Sequence, residues 1–157
     1  MNQRKLAGWL KVVIAGCALC GAALFGFILP MWLKGLDAAH PAFSYGAWMA
    51  LMWIAAIPCF LVLVCAGRIA GEIGQDHSFS RTNARMLKYV AVLAGGDAGL
   101  LLVGNVAFAL AGVSLPELAL ISAFVCFVGM AVSVAAACLS HLVLKAALLQ
   151  EESDLTI

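Results

Sequence analysis

The sequence predicts an all-α integral membrane protein, an up-down four-helix bundle with both ends in the cytoplasm. Three observations predict it: the composition, four apolar runs of membrane-crossing length, and a one-sided distribution of Lys and Arg. Of the 157 residues, 65% are hydrophobic and 11% charged, and the mean hydropathy is +1.07. A soluble domain is roughly half apolar and about a quarter charged. A chain this short cannot hide such an excess, so most side chains must meet lipid. The net charge of +1 supplies no basic field, which argues against direct binding of nucleic acid.

A spanning helix needs about 20 mostly apolar residues. Four runs qualify within one domain covering 1–157, at about 9–33, 45–67, 89–112 and 118–144. Between them lie a first link, a polar hairpin over 68–88 and a short link, and a tail follows over 145–157. Links this short favour antiparallel packing of sequence neighbours, above all of the last two spans. Arg4, Lys5, Lys11, Arg68, Arg81, Arg85, Lys88 and Lys145 fall on one side of this topology and Lys34 alone on the other. The positive-inside rule therefore places both ends and the hairpin in the cytoplasm. Trp32 and Trp48 are expected at the outer interface and Trp9 at the inner one, as amphipathic anchors.

The first run is read as an anchor. Ile14-Ala15-Gly16-Cys17 resembles a lipoprotein cleavage box, but Lys11 interrupts the stretch before it and the chain stays apolar to Leu33. All six cysteines, Cys17, Cys20, Cys59, Cys65, Cys126 and Cys138, lie in apolar runs. A disulfide framework would place them outside the membrane core. Cys17 and Cys20 are expected to pack beside Gly16 and Gly21 as small apolar groups.

In the hairpin, Gly74 is placed to end the second helix in a left-handed cap. Gln75, Asp76 and His77 suit a turn, and Ser80 is placed to cap the next helix. Arg81, Arg85 and Lys88 recur on one helical face. The plainer reading of that face is an anchor on anionic lipid; the sharper one is a docking surface for a cytoplasmic protein. Glu151, Glu152 and Asp154 form an acidic tail that suits a basic partner or the hairpin of the same chain.

Asp97 is the residue that most invites a function. An Asp near the bilayer centre costs about 2.5–3.5 kcal/mol on insertion scales, so it must face the bundle interior or a cavity. Gly95 and Gly99 flank it as G-x-x-x-G, which allows close helix approach, and Asn105 adds a second polar group. In the fourth run Gly129, Ser133, Ala137 and His141 recur every four residues, with Cys126 and Ser140 alongside. Facing these stripes predicts a partner for Asp97 in Ser133 or His141. Asp97, Asn105, Ser133 and His141 thus form a candidate intramembrane polar site, either a clasp between helices or a proton or ligand site. No His pair has metal-ligand spacing. No phosphate loop or nucleophile elbow occurs. The sequence therefore predicts neither cofactor, metal nor catalytic residues.

Two blocks look familiar together. The hairpin carries Gly74, Phe79, Ser80 and Asn83, and the chain ends Asp154-Leu155-Thr156-Ile157. This pattern resembles the bacterial membrane family catalogued as domain of unknown function 2975. The resemblance implies four spans in the bacterial cytoplasmic (inner) membrane. It also implies a neighbour, because such proteins are often encoded beside a very small helix-turn-helix regulator. A protein that binds or sequesters that regulator at the membrane is the function it suggests. Gly74, Phe79, Ser80, Arg81, Asn83, Arg85 and Asp154 are then the expected docking surface. The alternative is a subunit of a small transporter or channel with Asp97 on the path. Four spans make a narrow pore, so that alternative requires a homo-oligomer.

Overall fold

The computed structural model describes residues 3–74 and 80–155, and every described element is helical. The elements are α1 (Gln3–Ala23), a π-helical turn (Leu24–Ile28), α2 (Leu29–Ala39), α3 (Tyr45–Ile73), α4 (Arg81–Leu110) and α5 (Pro116–Leu155). The first span is α1, the π turn and α2 run together. Among the described residues four helices are long and apolar enough to cross a membrane, so the chain is a multi-pass membrane protein. The outward faces agree with lipid contact: Phe27, Leu110 and Leu120 are each more than 70% exposed. A water-soluble fold would not leave such a surface open.

The helices extend beyond the apolar runs. Arg68 to Ile73 continue α3, and Arg81 to Lys88 already belong to α4, so the polar hairpin is mostly helix. Ser80 caps α4 by accepting a hydrogen bond from the Asn83 amide at 3.1 Å. Gly74 departs from expectation. Its φ of −67° is right-handed, so it makes no left-handed cap. Its small size serves a contact instead, since a Cβ there would lie 3.2 Å from the Ala7 Cβ. The left-handed position is Gly112, with φ of +70°. There the Val113 amide bonds the Phe108 carbonyl and the Gly112 amide that of Ala109. This Schellman closure turns α4 into the short link before α5.

Pro30 shapes the first span. Its ring crowds the carbonyl four residues back and brings no N–H. The helix widens locally, with the Leu29 amide bonding the Leu24 carbonyl five residues back. The added residue keeps Ala18, Gly21, Phe25 and Leu33 facing inward although Pro30 interrupts the regular ladder.

Ala7 meets Gly74 and Gly21 meets Phe60 between the first span and α3; Leu51 meets Gly104 between α3 and α4. One cluster, including Leu33, Phe43, Trp48, Leu51, Leu101 and Leu118, lies toward the two short links. Trp48 is at its centre, 1% exposed. It is therefore not an interfacial anchor. Phe43 and Phe108 lie against its ring, and its indole N–H donates to the Val113 carbonyl at 3.2 Å. A buried indole needs such an acceptor. Trp9 and Trp32 remain exposed. Cys17 and Cys20 are exposed too, because the first span buries only a narrow face against α3 and they lie outside it.

Candidate functional site

The closest helix contact joins α4 and α5, and its polar groups repeat with a fixed step. Ser140 Oγ donates to the Ala84 carbonyl at 2.7 Å, Ser133 Oγ to Ala91 at 2.7 Å, and Cys126 Sγ to Ala98 at 3.4 Å. The three acceptors lie one heptad apart on α4. At the far end Ser122 Oγ lies 2.7 Å from Asn105 Oδ1 and 2.7 Å from the Leu118 carbonyl, while Asn105 Nδ2 donates to the Leu101 carbonyl. The seam of α5 is therefore Ser122, Cys126, Gly129, Ser133, Ala136, Ser140 and Ala147. Its steps of four and three from Ser122 to Ser140, and of seven on to Ala147, define the stripe that keeps facing a partner in left-handed packing. Each donor uses a second lone pair of a carbonyl already engaged within its own helix.

Glycine permits the approach. A Cβ on Gly95 would sit 2.8 Å from Ser133 Oγ, and one on Gly129 would sit 3.3 Å from the Ala98 Cβ. Gly99 has open space around it, so the close contact comes from Gly95 with Ala98 rather than from both ends of the G-x-x-x-G.

This register separates residues that the sequence reading joins. A step of four residues advances about 40° round a helix, so the stripe from Gly129 drifts off the seam by Ala137 and His141. Both are exposed. Ser133 is level with Ala91, about 9 Å along α4 from Asp97, and His141 is about 20 Å away by the same 1.5 Å rise. Neither is placed as the partner of Asp97. Asp97 precedes the seam residue Ala98 and points instead toward α3, where the Cys59 thiol donates to Oδ2 at 3.4 Å. Its other oxygen, Oδ1, is buried with no hydrogen-bond donor among the described residues.

Asp97 borders a cavity of about 350 Å³ that all four spans line. The walls are apolar, built by residues such as Phe25, Leu29, Met52, Ala55 and Val125. Cys59 and Ser122 were not singled out from sequence. Ser122 is legible as the hydroxyl residue four positions before Cys126, the step that alternates with three along the seam. Cys59 carried no comparable signal, since a thiol in an apolar run is usually packing material.

The second candidate region lies at the opposite end from the short links. Arg81, Arg85 and Lys88 are exposed on one face of α4. With Tyr89, Ser140 and Leu144 they line a groove of about 530 Å³. Arg81 Nε and Nη2 hold both oxygens of Glu151, at 2.9 and 2.6 Å. The acidic segment is thus helical and tied to the basic face of its own chain. Asn83 is buried, at 2% exposure, and offers no exposed docking group. Gly74 is half-buried beside Ala7. Asp154 belongs to α5. Asp76, His77, Phe79, Thr156 and Ile157 lie outside the described residues.

Among the described residues no three His, Cys, Asp or Glu side chains converge as metal ligands. No curated protein and no solved structure matches the chain. A family model described as a protein of unknown function (DUF2975) matches residues 3–157. With essentially its whole length covered, the chain belongs to the DUF2975 family.

Proposed function

We propose that this protein is a regulatory partner in the bacterial inner membrane that holds a small helix-turn-helix regulator at its cytoplasmic face. In this reading the four spans run up and down, the hairpin and both ends lie in the cytoplasm, and the lipid bilayer is the other partner. The eight-to-one bias of Lys and Arg supports that orientation.

One observation carries the docking role. α5 does not stop where its apolar run ends at Leu144 but stays helical to Leu155. Over 40 residues a helix is about 60 Å long, twice the roughly 30 Å hydrocarbon core. Arg81 clamps Glu151, which gives the projecting helix a fixed place against the start of α4. Arg85 and Lys88 stay exposed beside Tyr89 and Leu144. The result is a preformed surface with a basic rim and an apolar floor, suited to an acidic, amphipathic helix of a small protein.

Co-purification from native membranes with a small helix-turn-helix regulator of the same bacterium tests the proposal. Retention of wild-type regulator and its loss with Arg85→Glu plus Lys88→Glu is the expected result. Deleting the protein should release the regulator from the membrane and alter its target transcription. If neither localisation nor transcription responds, the proposal is wrong.

A further inference from the structure

We propose that the cavity beside Asp97 binds a small apolar molecule carrying one terminal N–H or O–H donor, which enters sideways from the bilayer between the first and fourth spans. This site is separate from the docking surface and does not rest on it.

The cavity's chemistry sets the ligand. Its volume of about 350 Å³ falls within the roughly 300–1,000 Å³ of small-molecule pockets. Its walls are apolar except at Asp97, Cys59 and Ser122. The Ser122 hydroxyl is committed to Asn105 and Leu118, and the Cys59 thiol to Asp97 Oδ2. What remains is Asp97 Oδ1, a buried acceptor that no described donor reaches. Leaving such an oxygen unmet in an apolar setting is costly. Oδ1 is closed to solvent here, so a ligand donor meets it by turning the Asp97 carboxylate into the cavity; that bond would offset the cost, and an apolar body would fill the rest.

Entry and depth narrow the source. The first and fourth spans do not pack helix against helix among the described residues. At that gap Ile28 is 56% exposed and Val125 46%, so the opening faces lipid. Asp97 lies nine residues from Lys88, the last charged residue before the span, and 13 from Leu110, the end of α4. At 1.5 Å per residue these are about 14 and 20 Å. A donor on a lipid headgroup at the interface does not reach it; a membrane-dissolved small molecule does.

Full-length protein in phosphatidylcholine nanodiscs tests this with three probes of one shape: 1-aminoadamantane, 1-adamantanol and 1-methyladamantane. Saturable binding of the amine and the alcohol is expected, with the methyl compound at least about tenfold weaker, the size of one hydrogen bond to a charged or buried group. Asp97→Leu should remove that preference. Val125→Trp, which narrows the opening without touching Asp97, should weaken the amine about tenfold, and it serves as the readout if the Asp97 variant does not fold. Replacing half of the lipid with phosphatidylethanolamine should leave the amine's affinity unchanged. Equal binding of all three probes would mean a groove for acyl chains only and would overturn the proposal. So would no saturable binding, an unaltered preference in Asp97→Leu, an unaltered amine affinity in Val125→Trp, or competition by phosphatidylethanolamine.

Discussion

The two sides of this molecule are held by different means. On one side α4 and α5 meet through Gly95, Ala98, Gly129 and Ala136, with a hydroxyl or thiol donor at each heptad. On the other, among the described residues, the first span packs helix against helix with α3 alone, through Ala7, Gly21 and the tilted ring pair Phe25–Phe60. Among the described residues it forms no side-chain hydrogen bond along its apolar length, and it borders the cavity instead. Lipid tails are as apolar as Leu, so burial of apolar side chains drives no association between helices in a bilayer. Close packing and hydrogen bonds must do it. α4 and α5 therefore form the rigid half of the fold, and the first span is the half free to admit a ligand.

The largest effect should come from forcing the rigid half apart. Gly95→Leu drives a side chain into Ser133, and overpacking of this kind costs about 3 kcal/mol. Steric-trap unfolding in bicelles should show that loss, while Gly26→Leu on the loose first span, where a Cβ meets nothing within 4 Å, should cost far less. Equal losses would abolish the contrast.

Next comes the link that joins the two halves at the far end. Trp48→Phe keeps the packing against Phe43 and Phe108 but removes the donor to Val113. The expected loss is about 1 kcal/mol, the ordinary net worth of one hydrogen bond. An unchanged unfolding free energy would mean the indole serves packing alone.

How much of this was legible in the sequence follows from the same physics. Lipid and core are equally apolar, so a helix that is hydrophobic all round shows no stripe in its hydropathy. The four spans were readable because length and composition alone define them, and Ser80 was readable as a cap because that chemistry is local. The facing of each span was not. It is written only in small and hydroxyl residues, and Gly129, Ser133, Ala137 and His141 compete with Ser122, Cys126, Ser133 and Ser140 as patterns. Only the second set holds a heptad step. The partner of Asp97 was missed for the same reason, since one residue of rotation turns it from α5 to α3. Burial of Trp48 depends on Gly112 bringing the Val113 carbonyl back over α3, a tertiary event without a local signal.

Single steps of the seam should be small. Ser133→Ala or Ser140→Ala is expected to cost about 0.6 kcal/mol, the average for interhelical hydrogen bonds in bilayers, with about 1.7 as a ceiling. The two sites are seven residues apart, about 10 Å along the helix, so their effects should add. Steric-trap measurements on the single and double variants check both numbers.

The smallest effect belongs to the Arg81–Glu151 pair, which is exposed on both sides. Water and salt screen such pairs. Arg81→Gln should leave the unfolding free energy nearly unchanged while loosening the end of α5, seen as faster amide hydrogen exchange at Gln150 to Ser153. Raising the ionic strength should reproduce that loosening in the wild type and add little to the variant.

The register of α4 against α5 is the claim beneath all of these, and cross-linking reads it directly. With the six native cysteines replaced, cysteines are introduced at Ala84 and at either Ser140 or His141, and native membranes are oxidised. Rapid disulfide formation is expected for the Ala84–Ser140 pair and little for Ala84–His141. Faster linking of Ala84 with His141 would contradict it and restore the four-residue stripe as the true interface.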